Sequence, residues 1–180
     1  MMISRVLVAP LNWGLGHATR CIPIIDELLA NGFEVSLASD GLALELLKDA
    51  YPQLRHYTLP AYAIRYGSAN MLWNMAWQWP KILRAIYREH QYLKHLVQQT
   101  PFDLIISDNR YGCYHAEIKS VILTHQLRIQ LPYPALEQII AKINKTLIDR
   151  FDECWIPDFE VSPGLAGQLS HANPPSRYRY

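Results

Sequence analysis

Arg5-Val6-Leu7-Val8-Ala9-Pro10-Leu11 runs directly into Asn12-Trp13-Gly14-Leu15-Gly16-His17, and this stretch decides the fold. The first part reads as a short buried strand, mostly aliphatic and without polar alternation. From Ala18 the pattern turns helical: Ala18, Cys21, Ile22, Ile25, Leu28 and Leu29 share one face, and Asn31-Gly32 supplies a stop. A glycine-bearing turn between a first strand and a first helix lets backbone N–H groups approach an anionic or polar ligand. His17 adds a titratable imidazole at the mouth of that turn.

Outward from this unit, strand and helix patterns alternate. Glu34 to Ser39 reads as a second strand, followed by Asp40-Gly41 as a helix cap and turn and a helix over Leu42 to Ala50. Leu54 to Leu59 is a weaker third strand, and Pro60 to Asn70 a loop. The long helical region beyond is expected to break at Trp79-Pro80, because proline suits the first turn of a new helix. Asp103 to Asp108 and Ser120 to Thr124 read as strands four and five. Ala135 to Phe151 is helical, with Leu136, Ile139, Ile140, Ile143, Leu147 and Ile148 in register, and Glu153 to Ile156 is a sixth strand. This order predicts an α/β fold, a Rossmann-like doubly wound parallel sheet, over residues 1–158. Residues 159–180, rich in proline, read as a linker toward a further domain.

Bulk composition narrows the function. Half of the 180 residues are hydrophobic, which suits one domain with a sizeable core. Seventeen basic against sixteen acidic side chains leave a net charge of +1, no footprint for bulk nucleic-acid binding. Cys21, Cys113 and Cys154 are odd in number and form no C-x-x-C pair, which speaks against a disulfide framework or structural zinc and for a reducing cytoplasm. No charged-then-apolar leader opens the chain, and no apolar run reaches the ~18 residues of a membrane span.

In an open parallel sheet, ligands bind beyond the carboxyl ends of the strands. That edge is expected to gather Gly14, Gly16 and His17 after the first strand, Asp40 after the second, Asp108-Asn109-Arg110 after the fourth, and His125-Gln126 after the fifth. His17 is read as a general base able to take a proton from an attacking hydroxyl, with Asp108 or Asp40 orienting it or binding the acceptor. A helix cap or a bond to a carbonyl is the simpler alternative for His17. For Asp108, Asn109, Arg110, His125 and Gln126, ligand contact and plain turn structure both stay open.

The helix from Pro80 to Gln99 carries an apolar stripe of Ile82, Leu83, Ile86, Leu93, Leu96 and Val97. Its other face holds Lys81, Arg84, Arg88 and His95. This is either an ordinary solvated face or, flanked by Trp73, Trp77 and Trp79, a surface meeting anionic lipid headgroups.

Trp13-Gly14-Leu15-Gly16-His17-Ala18-Thr19-Arg20 resembles the first loop of GT-B glycosyltransferases, nearest to the group of the peptidoglycan lipid-intermediate N-acetylglucosaminyltransferase. Ile106-Ser107-Asp108-Asn109-Arg110-Tyr111-Gly112 and Thr124-His125-Gln126-Leu127 are similar to later motifs of a bacterial subgroup of predicted glycosyltransferases. The resemblance covers nearly the whole chain and implies the N-terminal, acceptor-binding half of a two-domain fold. It implies a nucleotide-sugar donor such as a UDP-sugar, held mainly by the other half, and a sugar or lipid-linked acceptor. Catalysis would proceed in the cleft between the halves, with no metal and no cofactor. By the resemblance His17 takes the place of the loop histidine, as base or acceptor ligand, and this chain alone does not turn over. Together with the sheet-edge reading, this makes His17 and Asp108 the candidate catalytic residues and Gly14, Gly16, Asn109, Arg110, His125 and Gln126 the candidate substrate-binding ones. The setting would be cytoplasmic, with peripheral contact at the inner face of the membrane as an option.

Two other readings stay open. An NAD-dependent oxidoreductase fits Gly14-x-Gly16 with Asp40 24 residues beyond Gly16, close to the ~20 expected of that motif, although Thr19 stands where the third glycine belongs. A non-catalytic binding module would keep the sheet edge without the chemistry.

Overall fold

The computed structural model describes residues 4–62, 71–125, 127, 134–158 and 177–179, with backbone alone for 71–79 and 134–136. The elements are β1 (Arg5–Pro10), α1 (Leu15–Ala30), β2 (Glu34–Ser39), α2 (Gly41–Ala50), β3 (Arg55–Thr58), α3 (Met71–Gln99), β4 (Leu104–Asp108), β5 (Lys119–Leu123), α4 (Pro134–Ile148), β6 (Glu153–Trp155) and β7 (Tyr178–Arg179). The strands form one sheet in the order β3-β2-β1-β4-β5-β6-β7, and every pairing is parallel.

The aliphatic run of β1 is continuous because helices cover both faces of the sheet. Val6 and Val8 point to one side, where they join Ala18, Cys21 and Ile25 of α1 and Ala43 and Leu47 of α2. Leu7 and Ala9 point to the other, against Leu93 and Leu96 of α3. Each fully buried aliphatic side chain contributes about 1.5–3 kcal/mol relative to exposure, so the two-sided pattern itself selects the layered fold. α1 ends as Asn31-Gly32 predicts. Gly32, at φ 79°, donates to Leu29 O and Phe33 N–H donates to Leu28 O, the paired bonds that close a helix through a left-handed residue.

Register brings the site together. Pro10 lies opposite Asp108, and Asp108 opposite Leu123, so β1, β4 and β5 end level with one another. The loops that follow them emerge side by side.

The structure departs from the sequence reading in four places. α1 begins at Leu15, not Ala18, which puts His17 inside its first turn. α3 runs unbroken through Pro80. An internal proline costs about 3 kcal/mol, but the residues beyond it are anchored by Ala85, Ile86, Leu93 and Leu96 in the core. Leu83 and Ile139, expected on apolar faces, are 42% and 57% exposed, because each stripe is wider than the surface that covers it. Finally, Tyr178–Arg179, read as part of a linker, adds a parallel edge strand to β6; residues 159–176 lie outside the described residues.

Candidate functional site

Gly14 caps α1 with φ 79° and ψ 168°, a conformation that an L side chain resists. Gly14 gives α1 no side-chain cap, so the leading N–H groups of the helix have no cap bond from it, and Trp13–Gly16 is exposed. His17 sits in that turn with its side chain 15% exposed. Its Nδ1 lies 3.1 Å from Asp108 Oδ1.

Asp108 is completely buried at the carboxyl end of β4. Besides His17 it accepts Arg20 Nε at 3.1 Å, a bond from Arg20 Nη2, and a longer contact of 3.8 Å from the Cys21 thiol. Arg20, one turn beyond His17 on α1, also places Nη2 3.1 Å from His17 Nδ1 and Nη1 3.5 Å from His125 Nδ1. A buried carboxylate is costly unless paired and hydrogen-bonded, and the Arg20 fork supplies both. Burial, and secondarily the Asp108 charge, push the Cys21 thiol well up, so it is no nucleophile. His125 is held below the ordinary histidine value by burial first and then by Arg20 and His17.

The structure brings His17, Asp108 and His125 together at one edge, with Arg20 as the group that joins them. Arg20 reads in the sequence as an ordinary helix-surface cation; its spacing of three from His17 is the one signal that the two share a face. Gln126 lies outside the described residues.

Arg110 goes elsewhere. Asn109 adopts φ 57°, the left-handed conformation that asparagine tolerates better than most residues. Ser107 locks the turn by donating to Arg110 O at 2.6 Å and accepting Arg110 N–H at 3.2 Å. Asp108 and Arg110 therefore serve separate clusters. Arg110 is fully buried; it donates to Glu89 Oε1 at 2.6 Å, to Pro10 O at 2.9 Å and to Asp40 Oδ1. Its expected place on the open edge is corrected to one inside the domain. Asn109 is 3% exposed, and its Oδ1 is buried without a partner among the described residues.

Glu89 completes the inner cluster. It accepts Tyr62 Oη at 2.6 Å and Gly112 N–H at 2.9 Å in addition to Arg110. Burial raises the Glu89 carboxyl against the opposing pull of Arg110, and burial together with Glu89 raises the Tyr62 phenol. Burial works against the charge on Arg110, but Glu89, Cys113 and Asp40 hold its pKa above the ordinary arginine value. Asp40 occupies the cap position of α2 yet makes no side-chain cap bond. Its carboxylate instead takes Arg110 and, at 3.2 Å, Asn12 Nδ2, while Asn12 Oδ1 accepts Ala43 N–H at 3.2 Å. The base of the Gly14–His17 loop is tied through Asn12 to the β2–α2 turn. Among the described residues no three His, Cys, Asp or Glu side chains converge where a metal ion would fit.

No family model matches the chain, and no curated protein matches it by sequence. Solved structures do match by shape. MurG of Acinetobacter baumannii superposes with a TM-score of 0.57 at 13% identity, covering 97% of this chain and 43% of that one. UGT2 of Phytolacca americana gives 0.57 at 15%, over 89% and 47%. The spinosyn rhamnosyltransferase SpnG, complexed with thymidine diphosphate, gives 0.55 at 14%, over 85% and 45%. The fold is that of one half of a GT-B glycosyltransferase. The chain spans less than half the length of each of these neighbours. They lend no support to the oxidoreductase reading, and Asp40, the residue which that reading needs for a ribose, is already engaged by Arg110 and Asn12. No helix among the described residues is long and apolar enough to cross a membrane.

Proposed function

We propose that this chain is the acceptor-side half of a nucleotide-sugar-dependent glycosyltransferase, with His17 as the base that takes the proton of the acceptor hydroxyl. The observation that carries the reading is the 3.1 Å contact between His17 Nδ1 and the buried Asp108 carboxylate at the carboxyl edge of the sheet. In the tautomer this role needs, Nδ1–H donates to Asp108, Arg20 Nη2 donates to Asp108 and not to Nδ1, and the lone pair resides on Nε2, which makes no hydrogen bond among the described residues. In the transfer step the acceptor oxygen bonds to the anomeric carbon, the bond to the nucleoside diphosphate breaks, and the hydroxyl proton passes to Nε2. Asp108 steadies the imidazolium so formed, and Arg20 keeps Asp108 in position.

The uncapped N–H groups around Gly14 and Gly16 suit a polar or anionic portion of the substrate. His125, and Gln126 beside it in sequence, would border the acceptor. Asn109 and Arg110 act from beneath by shaping the turn that presents Asp108. A nucleotide-sugar donor fits the thymidine diphosphate complex of one structural neighbour, and in this reading a second domain would hold it. A sugar or lipid-linked acceptor and a cytoplasmic setting at the inner face of the membrane fit this reading; the three cysteines, all unpaired and buried, accord with a reducing compartment.

The test is transfer in a protein carrying both halves, offered a panel of UDP-, TDP- and GDP-sugars with hydroxylated acceptors. His17→Ala is expected to lower kcat by about 10²–10⁴-fold, with Tm unchanged. Near-wild-type turnover in that variant overturns the base assignment. The absence of both transfer and donor hydrolysis across the panel overturns the glycosyltransferase reading.

A further inference from the structure

The Arg110–Glu89 cluster has an outer neighbour that the proposed chemistry does not use. A cavity of about 630 Å³ opens between the segment after β3 and the middle of α3, lined by Pro60, Tyr62, Lys81, Arg84, Ala85 and Arg88 among others. Its volume falls within the ~300–1,000 Å³ of small-molecule sites. Arg84 and Arg88 lie four apart on α3, both are exposed, and neither has a carboxylate partner among the described residues. Like charges at that spacing oppose each other on a helix.

Among the described residues no carboxylate lines the cavity. Glu89, next to Arg88 in sequence, is fully buried and accepts from Arg110, Tyr62 and Gly112. Tyr62 thus belongs to both places, with its hydroxyl on Glu89 and its side chain in the cavity wall. Pro60, the other wall, accepts Arg110 Nη1 at 3.4 Å. The inner cluster fixes one wall of the cavity, while Arg84 and Arg88 opposite have no carboxylate partner among the described residues. Its Pro60 and Tyr62 follow β3, at the carboxyl end of the sheet that also carries the His17 loop.

We propose that this cavity binds the phosphate or diphosphate group of the acceptor, held by the Arg84 and Arg88 guanidinium groups. Paired guanidinium groups match phosphate oxygens with two-pronged charge-assisted bonds. The cavity exceeds what one phosphate fills and has room for the adjoining part of a larger molecule along Tyr62 and Ala85. The assignment rests on the acceptor-side reading above, whose own failure would appear in the His17→Ala kinetics and the donor panel.

Inorganic diphosphate titrated into the full chain by calorimetry tests the site, with Arg84→Gln/Arg88→Gln and His17→Ala as comparison variants. The two arginines are on the surface, so the double variant should keep the wild-type Tm. Binding should weaken about 10–100-fold in it, the usual effect of losing charge-assisted bonds, and remain unchanged in His17→Ala. A parallel arm uses sedimentation with phosphatidylglycerol/phosphatidylcholine vesicles against phosphatidylcholine alone. Diphosphate and anionic vesicles both binding through the arginines supports a lipid-borne phosphate. Diphosphate alone doing so supports a water-soluble phosphorylated acceptor. Binding lost in His17→Ala and kept in the double variant places the anion on the glycine loop and overturns the cavity assignment. Binding of vesicles without diphosphate overturns it too, as does no binding of either.

Discussion

Arg110 and Glu89 are both completely buried and are joined, Nη1 to Oε1, at 2.6 Å, although Glu89 lies within α3 and Arg110 just after β4. A buried pair of this kind gains little over an apolar replacement, but breaking it leaves an uncompensated charge. Glu89→Ala is therefore expected to cost about 3–5 kcal/mol, read as a shift in the urea midpoint. Glu89→Gln should cost less, because the amide oxygen can still accept from Tyr62 or Gly112. Arg110→Met should be milder in the Glu89→Gln background than in the wild type, with a coupling of about 0.5–3 kcal/mol. Strict additivity would mean that the two side chains do not act as a pair.

Gly41 tests how the loop is anchored. It has φ 51°, and a Cβ added there would lie 2.3 Å from Asn12 Nδ2, the atom that bonds Asp40. Gly41→Ala should therefore push Asn12 away and loosen the base of the Gly14–His17 loop. Gly32→Ala is the control: φ is 79° and nothing lies within 4 Å of the added carbon, so it carries backbone strain alone, about 1–2 kcal/mol. Gly41→Ala is expected to lose more stability than Gly32→Ala and to lower turnover per folded molecule. Equal effects in both assays would show that Asn12 does not position the loop.

Asp108→Asn separates orientation from chemistry. The amide still fills the space under His17 and Arg20 but no longer steadies an imidazolium. Turnover should fall by less than the ~10²–10⁴-fold expected for removing the base, with KM nearly constant. Arg20→Met should act in the same direction, since it removes both guanidinium bonds to Asp108. If both variants raise KM and leave kcat intact, this cluster binds the acceptor and does not orient a base.

The alternation of apolar strands and amphipathic helices was legible because the β1 residues after Arg5 are all buried, on one sheet face or the other, a pattern that no single-sided sheet would tolerate. The site edge was legible for the same reason: strand ends, once placed, locate His17, Asp108 and His125 without any contact being known. What could not be read was pairing across the fold. Glu89 stands between Ile86 and Leu93 on the buried stripe of α3, a carboxylate at an apolar position, and that misfit was the available signal. Its partner, Arg110, looked like a ligand contact because only the left-handed turn at Asn109 sends it inward. Pro80 misled because local propensity favoured a break that core packing on its C-terminal side overrides.

Two pH windows should appear in the stability of the isolated chain, each with its own origin. His90 is held below the ordinary histidine value chiefly by burial, as is His125. The unfolded chain, with histidines near 6.5, then binds more protons between the folded and unfolded values. Stability from these groups is complete above about pH 6.5 and is lost as pH falls through the folded values. His90 stacks on Tyr114 at 4.2 Å with the rings 12° apart, so His90→Phe keeps the stacking and removes the titration. The slope of Tm against pH just below 6.5 should flatten in that variant. Asp103 governs a lower window. Backbone N–H groups of Arg5 and Ser4 and the Ser4 hydroxyl donate to it, and these bonds hold its carboxyl down to about 2. Its folded value lies below its unfolded one, so its contribution is present above about pH 4 and is lost as pH falls toward 2. Asp103→Asn should lower Tm at pH 7 and flatten only this acid limb, leaving the histidine limb as in the wild type. Thermal melts from pH 8 to 2.5 on the wild type and both variants distinguish the two, and a His90→Phe profile that parallels the wild type throughout would remove His90 from the account.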